Sequence, residues 1–131
     1  MLKNYKDLLA AAHAKIETIP TEAAIRLLQD DSVVFVDIRD RRELEREGRI
    51  PGAFHCPRGM LEFWIDPESP YHREIFAEGK KYVFYCASAW RSALATQTAM
   101  DMGLEPVAHI AGGFTAWRTN GGPVEVLKKK D

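Results

Sequence analysis

The chain has 131 residues, with 18 Lys plus Arg against 19 Asp plus Glu and 46% hydrophobic residues. That length argues for one domain, and that composition for a packed core rather than disorder. A net charge of −1 excludes bulk attraction to nucleic acid or an anionic membrane, so any anion site must be built from a few placed groups.

Leu2, Tyr5, Leu8, Leu9, Ala12 and Ile16 recur at helical spacing and predict an amphipathic helix in an N-terminal extension, residues 1–15. Its apolar stretch, 8–12, is flanked by Asp7 and His13, which is too short and too charged for a signal peptide. No run approaches the ~18 apolar residues of a membrane helix. A domain over 16–125 follows, then a basic tail, 126–131, whose Lys128, Lys129 and Lys130 are expected in solvent.

Within the domain, an edge strand is predicted over 16–19, and a helix from Pro20-Thr21 carries Ile25, Leu27 and Leu28. Val33-Val34-Phe35-Val36 is a continuous β-branched and aromatic run, the pattern of a strand buried on both faces of a parallel sheet. Asp40-Arg41-Arg42-Glu43 has capping-box spacing, and Gly48 sits where that helix would end. A short strand is expected over 50–56, bracketed by Pro51-Gly52 and Pro57, then a helical turn or two over 60–64. Pro67, Ser69 and Pro70 make a loop reaching Tyr71-His72. Tyr82-Val83-Phe84-Tyr85 is a second buried strand, ending at Cys86. The next helix is expected to bury Leu94, Ala95, Thr98, Ala99 and Met102 and to close at Gly103. A last strand over 107–110, a Gly112-Gly113 turn and a short helix over 114–118 complete the pattern. Strands alternating with helices predict a parallel α/β sheet covered on both faces, with chemistry beyond the carboxyl ends of the strands.

Cys86-Ala87-Ser88-Ala89-Trp90-Arg91-Ser92 is the most informative segment. A loop curling round the sulfur would aim backbone N–H groups of Ala87, Ser88, Ala89, Trp90 and Ser92 at one point, backed by a helix N-terminus. Arg91 can close that ring with its fork of donors. Such surroundings favour the thiolate, the nucleophilic form of cysteine. Cysteine is also among the most buried residue types, so the Cys–Arg pair alone fits a core residue too. Trp90 has three readings: a wall at the pocket mouth, a docking face for a protein partner, or packing on a neighbouring loop.

Asp37 ends a buried strand and Arg39 follows two positions on; the residues alone fit a cap and an exposed charge. Asp40 and Glu43 read as capping residues. Arg58, Glu62, Trp64 and His72 occupy a segment that can wall a pocket, with Arg58 and Trp64 the stronger candidates. Cys56 reads as a small core residue, or as a resolving thiol for Cys86. Two cysteines are too few for a disulfide scaffold or a cysteine-based zinc site, which points to a reducing, cytoplasmic setting. His13, His55, His72 and His109 lack metal-ligand spacing, so neither metal nor cofactor is expected.

The segments 37–43, 48–53, 86–92 and 112–117 come in the order of the motifs of the rhodanese (sulfurtransferase) family, which the chain resembles over roughly 16–123. The resemblance implies a three-layer α/β/α domain with a central, mainly parallel five-stranded sheet, in which Asp37 and Arg39 brace the active-site side and hydrogen-bond near the Cys86 loop. It implies thiosulfate sulfurtransferase-type chemistry: Cys86 takes the outer sulfur of a small anionic donor as a persulfide and passes it to a thiol or protein acceptor. Related phosphatases and arsenate reductases place one more residue between cysteine and arginine, so the resemblance favours sulfur transfer over ester hydrolysis. Two positions depart from the family, Ala89 where glycine is usual and Arg49 where histidine is usual. Arg49 is expected to change a surface interaction rather than the chemistry, whereas Ala89 together with Trp90 leaves open the alternative of a weakly active binding or sensor module.

Overall fold

The computed structural model describes residues 2–128; the end of the expected basic tail, 129–131, lies outside the described residues. Five strands, β1 (Glu17–Ile19), β2 (Val33–Asp37), β3 (Phe54–His55), β4 (Lys81–Tyr85) and β5 (Val107–Ile110), form one sheet in the order β1-β5-β4-β2-β3. Every pairing is parallel, with Val36 opposite Phe84 and Phe84 opposite His109.

Alternation along the strands separates two cores. Val36, Tyr82, Phe84 and Val107 pack with Leu61 and Ile65 of α4 (Leu61–Ile65) and with Ala95 and Ala99 of α5 (Trp90–Asp101). Phe35, Val83, Tyr85, Ala108 and Ile110 pack on the opposite face. There they meet Ala24 of α2 (Thr21–Arg26) and Phe114 and Trp117 of α6 (Gly113–Thr119). The sheet is therefore the middle of three layers. Preceding it, α1 (Tyr5–His13) lies against α5, and α3 (Arg41–Glu47), capped by Asp40 and Glu43 as expected, follows β2.

Three details differ from the sequence reading. The strand expected over 50–56 shrinks to Phe54–His55. Pro51 lacks an N–H, Gly52 has φ +75°, and Ala53 N–H bonds Ile50 O at 3.1 Å, so a turn replaces the first half. On α5 the buried residues are Ser92, Ala93, Ala95, Thr96 and Ala99, with Leu94 and Thr98 half-buried and Met102 exposed. This helix sits between the sheet and α1, and close approach on both sides selects small side chains. On α1 only Ala12 is buried; Tyr5 and Leu8 stay exposed because a helix resting on another helix covers only a narrow stripe.

Candidate active site

Cys86 directly follows β4 and continues the parity of Tyr82 and Phe84, so its side chain enters the core shared with α5, where it is 1% exposed. The chain then turns through Ala87 and Ser88 into Ala89, which adopts φ +82° and ψ −1° as the residue before α5. A left-handed alanine costs about 1–2 kcal/mol, and here it buys a turn tight enough to bring the start of α5 back over the sulfur. Ser92 N–H, in the first turn of that helix, donates to Cys86 Sγ at 3.4 Å. The loop carbonyls are held elsewhere: Phe114 N–H bonds Cys86 O at 2.8 Å and Thr115 N–H bonds Ala87 O at 3.1 Å. Gly113 is required by this docking, since a Cβ there would lie 2.5 Å from Cys86 O and 2.6 Å from Ala87 O. Thus α6 ties down the loop from behind, and the sulfur is left facing a donor. Of the several amides expected to converge, Ser92 supplies the hydrogen bond to sulfur.

Arg91 lies beside Cys86, but its guanidinium is gripped by Glu43 through two bonds of 2.9 Å. The Glu43 bonds hold Arg91 above its ordinary pKa, and neighbouring Cys86 adds to the effect. In return Arg91 lowers the Glu43 carboxyl to about 2, against the opposing effect of burial. The pairing is therefore fully present above the ordinary glutamate range and is lost as pH falls through about 2. Glu43 also accepts the Asp40 N–H at 2.9 Å as the capping residue of α3. A cap was legible in the sequence; the second use of the same carboxylate was not, because it depends on α3 and α5 meeting in space.

Asp37 and Arg39 form a fully buried pair, with Arg39 Nε to Asp37 Oδ1 at 3.0 Å and Nη2 to Oδ2 at 2.7 Å. Nη2 also donates to Gly48 O at 2.8 Å, and the guanidinium lies 4.4 Å from the Phe114 ring centre. Asp37 is the register partner of Tyr85, whose hydroxyl accepts Ile50 N–H at 3.1 Å. The pair thus joins the end of β2 to Tyr85 of β4 and to Phe114 of α6, the residue whose N–H holds Cys86 O. Arg49 instead pairs with Glu125 at 2.6 Å and clamps the C-terminal segment in an antiparallel bridge.

Trp90 is 57% exposed and tilts against Tyr5 of α1, with ring centres 5.1 Å apart. Ser92 and Thr96 lead instead into the interior: Ser92 Oγ lies 2.9 Å from His109 Nδ1, His109 Nε2 lies 3.0 Å from Thr18 Oγ1, and Thr96 Oγ1 donates to Ser92 O at 2.7 Å. Burial, with a smaller contribution from His13, lowers His109 to about 4. Arg58 bonds Glu62 at 2.9 Å and Thr98 at 3.4 Å, while Trp64 packs on Phe54 under the Arg73 guanidinium. These contacts place Arg58 and Trp64 on the α4 side of the sheet, and none of them reaches the 86–92 loop. Cys56 is buried, which pushes its thiol up to about 12 and suits a core residue better than a resolving nucleophile.

A family model described as the rhodanese-like domain matches residues 20–120, which take in the whole 86–92 loop and leave α1 outside. The solved structure of a protein of unknown function from Rhodopseudomonas palustris, described as a possible tyrosine phosphatase, is 60% identical. It superposes with a TM-score of 0.93 over 95% of this chain and 96% of that one. An uncharacterised protein from Synechocystis sp. is 35% identical over 111 residues, 85% of this chain and 57% of that protein. Mouse thiosulfate sulfurtransferase/rhodanese-like domain-containing protein 3 is 28% identical over 98 residues, 71% of this chain and 62% of that protein. The chain spans about three fifths of the length of these two relatives. With its five-stranded parallel sheet and a cysteine-headed loop at the end of β4, the chain belongs to the rhodanese-like domain family.

Proposed function

We propose that this protein is a sulfurtransferase that carries a sulfane sulfur on Cys86. The observation that carries this reading is the Ser92 N–H aimed at Cys86 Sγ at 3.4 Å from the start of α5, with the Arg91 guanidinium alongside. An amide donor and a helix N-terminus stabilise negative charge on sulfur both in the thiolate and in the persulfide. In the first step the Cys86 thiolate attacks the outer sulfur of thiosulfate; the S–S bond breaks and sulfite leaves with the electron pair. In the second, an acceptor nucleophile such as cyanide or a thiolate attacks the outer sulfur of the persulfide, and the Cys86 thiolate leaves. Arg91, its guanidinium held by Glu43, keeps a cation beside the sulfur for the anionic donor, and Asp37 with Arg39 keeps the loop in place. The donor is a small sulfur anion, the acceptor a free or protein-borne thiol, and the reduced cytoplasm the setting.

Incubation with thiosulfate should add the mass of one sulfur atom to the intact protein, and cyanide should then release thiocyanate. Cys86→Ser should abolish both. A folded protein that takes up no sulfur from thiosulfate or from a low-molecular-weight persulfide would instead be a binding module. A second reading, hydrolysis of phosphate esters, is favoured by the description given to the Rhodopseudomonas palustris structure. The loop from Cys86 to Arg91 is one residue shorter than the phosphatase type, which supports sulfur transfer. Turnover of an aryl phosphate that disappears in Cys86→Ser would reverse that choice.

A further inference from the structure

We infer that His109 is a positioning residue for Cys86, acting through Ser92. The inference takes Cys86 to be the reacting thiol, as proposed above, and adds an interior side chain that its chemistry has not so far involved.

Three side chains on three elements form one line. Thr18 on β1, His109 on β5 and Ser92 on α5 are joined by bonds of 3.0 and 2.9 Å, and the Ser92 amide reaches the sulfur at 3.4 Å. Ser92 and His109 have no exposed surface, so their polar hydrogens must be satisfied inside the protein. With His109 neutral, Nε2–H donates to Thr18 Oγ1, and Nδ1 accepts the Ser92 hydroxyl proton. In this tautomer, assigned from the network, each buried polar hydrogen of the line has an acceptor. The titratable group facing the imidazole is His13 of α1, whose ring centre is 5.4 Å away, and Phe84 flanks it from β4. Burial, with a smaller contribution from His13, keeps His109 in the neutral form that this line needs.

Ser92 is thus fixed at both ends of its short side chain. Thr96 holds its carbonyl, His109 holds its hydroxyl, and its amide is left aimed at sulfur. Left free, the Ser92 hydroxyl could turn back to a carbonyl of the preceding loop, as serines in a first helical turn do, and move the amide with it. His109 removes that option.

Two isosteres separate this role from simple packing. The Asn amide oxygen falls near imidazole Nδ1 and keeps an acceptor for Ser92, whereas the Gln amide nitrogen falls near Nε2 and keeps only the Thr18 bond. The readout is the rate at which iodoacetamide alkylates Cys86, scored on the Cys86 peptide by mass and set beside each variant's melting temperature. His109→Gln and Ser92→Ala should each slow alkylation about fivefold, the effect of losing one net hydrogen bond. His109→Asn should recover to within about twofold of the unaltered protein, and the Ser92→Ala/His109→Gln double variant should be no slower than either single. Equal rates for the Asn and Gln variants, or additive losses in the double variant, would overturn the role. Sulfur loading from thiosulfate is measured in parallel. If the unaltered protein never loads sulfur while the Asn–Gln split persists, the sulfurtransferase reading falls and the placement of His109 stands. If loading occurs without the split, His109 alone is overturned.

Discussion

Two buried thiols flank one strand of this sheet, and they have opposite surroundings. Cys56 follows β3 and Cys86 follows β4, on either side of β2, and both belong to the same apolar cluster. What differs is the chain that comes next. After Cys56 stands Pro57, which has no N–H to offer, and a short 3-10 turn over Arg58–Met60. The hydrogen-bonding contact of the Cys56 sulfur is Pro57 O at 3.9 Å, an acceptor, which suits a protonated thiol. After Cys86 comes a loop that opens a 12-residue helix, and the contact of its sulfur is the Ser92 N–H, a donor, which suits an anion. Burial alone therefore does not decide the chemistry of a cysteine. The backbone that follows the strand does.

The strongest test of that contrast is selective labelling. With its thiol pushed up to about 12, Cys56 at pH 8 is ionised to about one part in 10⁴, so it should alkylate roughly 10³-fold more slowly than an ordinary free thiol. Peptide-level mass spectrometry of the native protein should find iodoacetamide on Cys86, with Cys56 labelled only after denaturation. Equal labelling of the two would erase the distinction. Next in size is the floor common to both thiols. Asp37 O accepts Cys56 N–H at 2.9 Å, while Ile38 N–H bonds Tyr85 O at 3.1 Å, just ahead of Cys86. Asp37→Asn leaves the buried Arg39 charge with only the half-exposed Glu47 carboxylate, 3.6 Å from Nη1, and should cost about 3 kcal/mol in urea unfolding. A loss below ~1 kcal/mol would mean that the pair contributes little to holding the strand ends together.

The sequence made the frame of this contrast readable and hid its details for a physical reason. Val33 to Val36 and Tyr82 to Tyr85 are apolar at every position, the pattern of a strand covered on both faces, so the parallel sheet followed directly, and its carboxyl end was where a candidate site had to be sought. The Asp40–Glu43 cap was equally local and equally legible. Contacts between distant segments were not. Glu43 meets Arg91 48 positions away, and Thr18 meets His109 91 positions away; no spacing rule reports either. Ala89 lay between these cases. Its departure from the family's usual glycine marked the position, but whether the turn would still be left-handed depended on how α5 docks over the sulfur.

Two smaller effects distinguish the Cys86 side from the Cys56 side. His109 is lowered to about 4 from an unfolded value near 6.5, so between those values the unfolded chain binds the proton that the native protein refuses. Stability accordingly falls as pH drops through that window, by about 2 kcal/mol between pH 7 and pH 5. Urea titrations of the unaltered protein and His109→Asn across this range isolate the effect, because the variant lacks the titrating ring. Parallel curves would mean that His109 does not carry it. Smallest is Ala89→Gly. At φ +82° glycine avoids the Cβ strain of alanine, while the greater freedom of the unfolded glycine chain offsets part of the gain, leaving about 0.5–1 kcal/mol of added stability. A matching gain in sulfur loading is not expected, because the native turn already has the geometry that glycine would relax into. If loading rises several-fold while stability stays level, the alanine restrains the motion of the loop rather than merely straining it, and the donor geometry at Cys86 must be sampled rather than fixed.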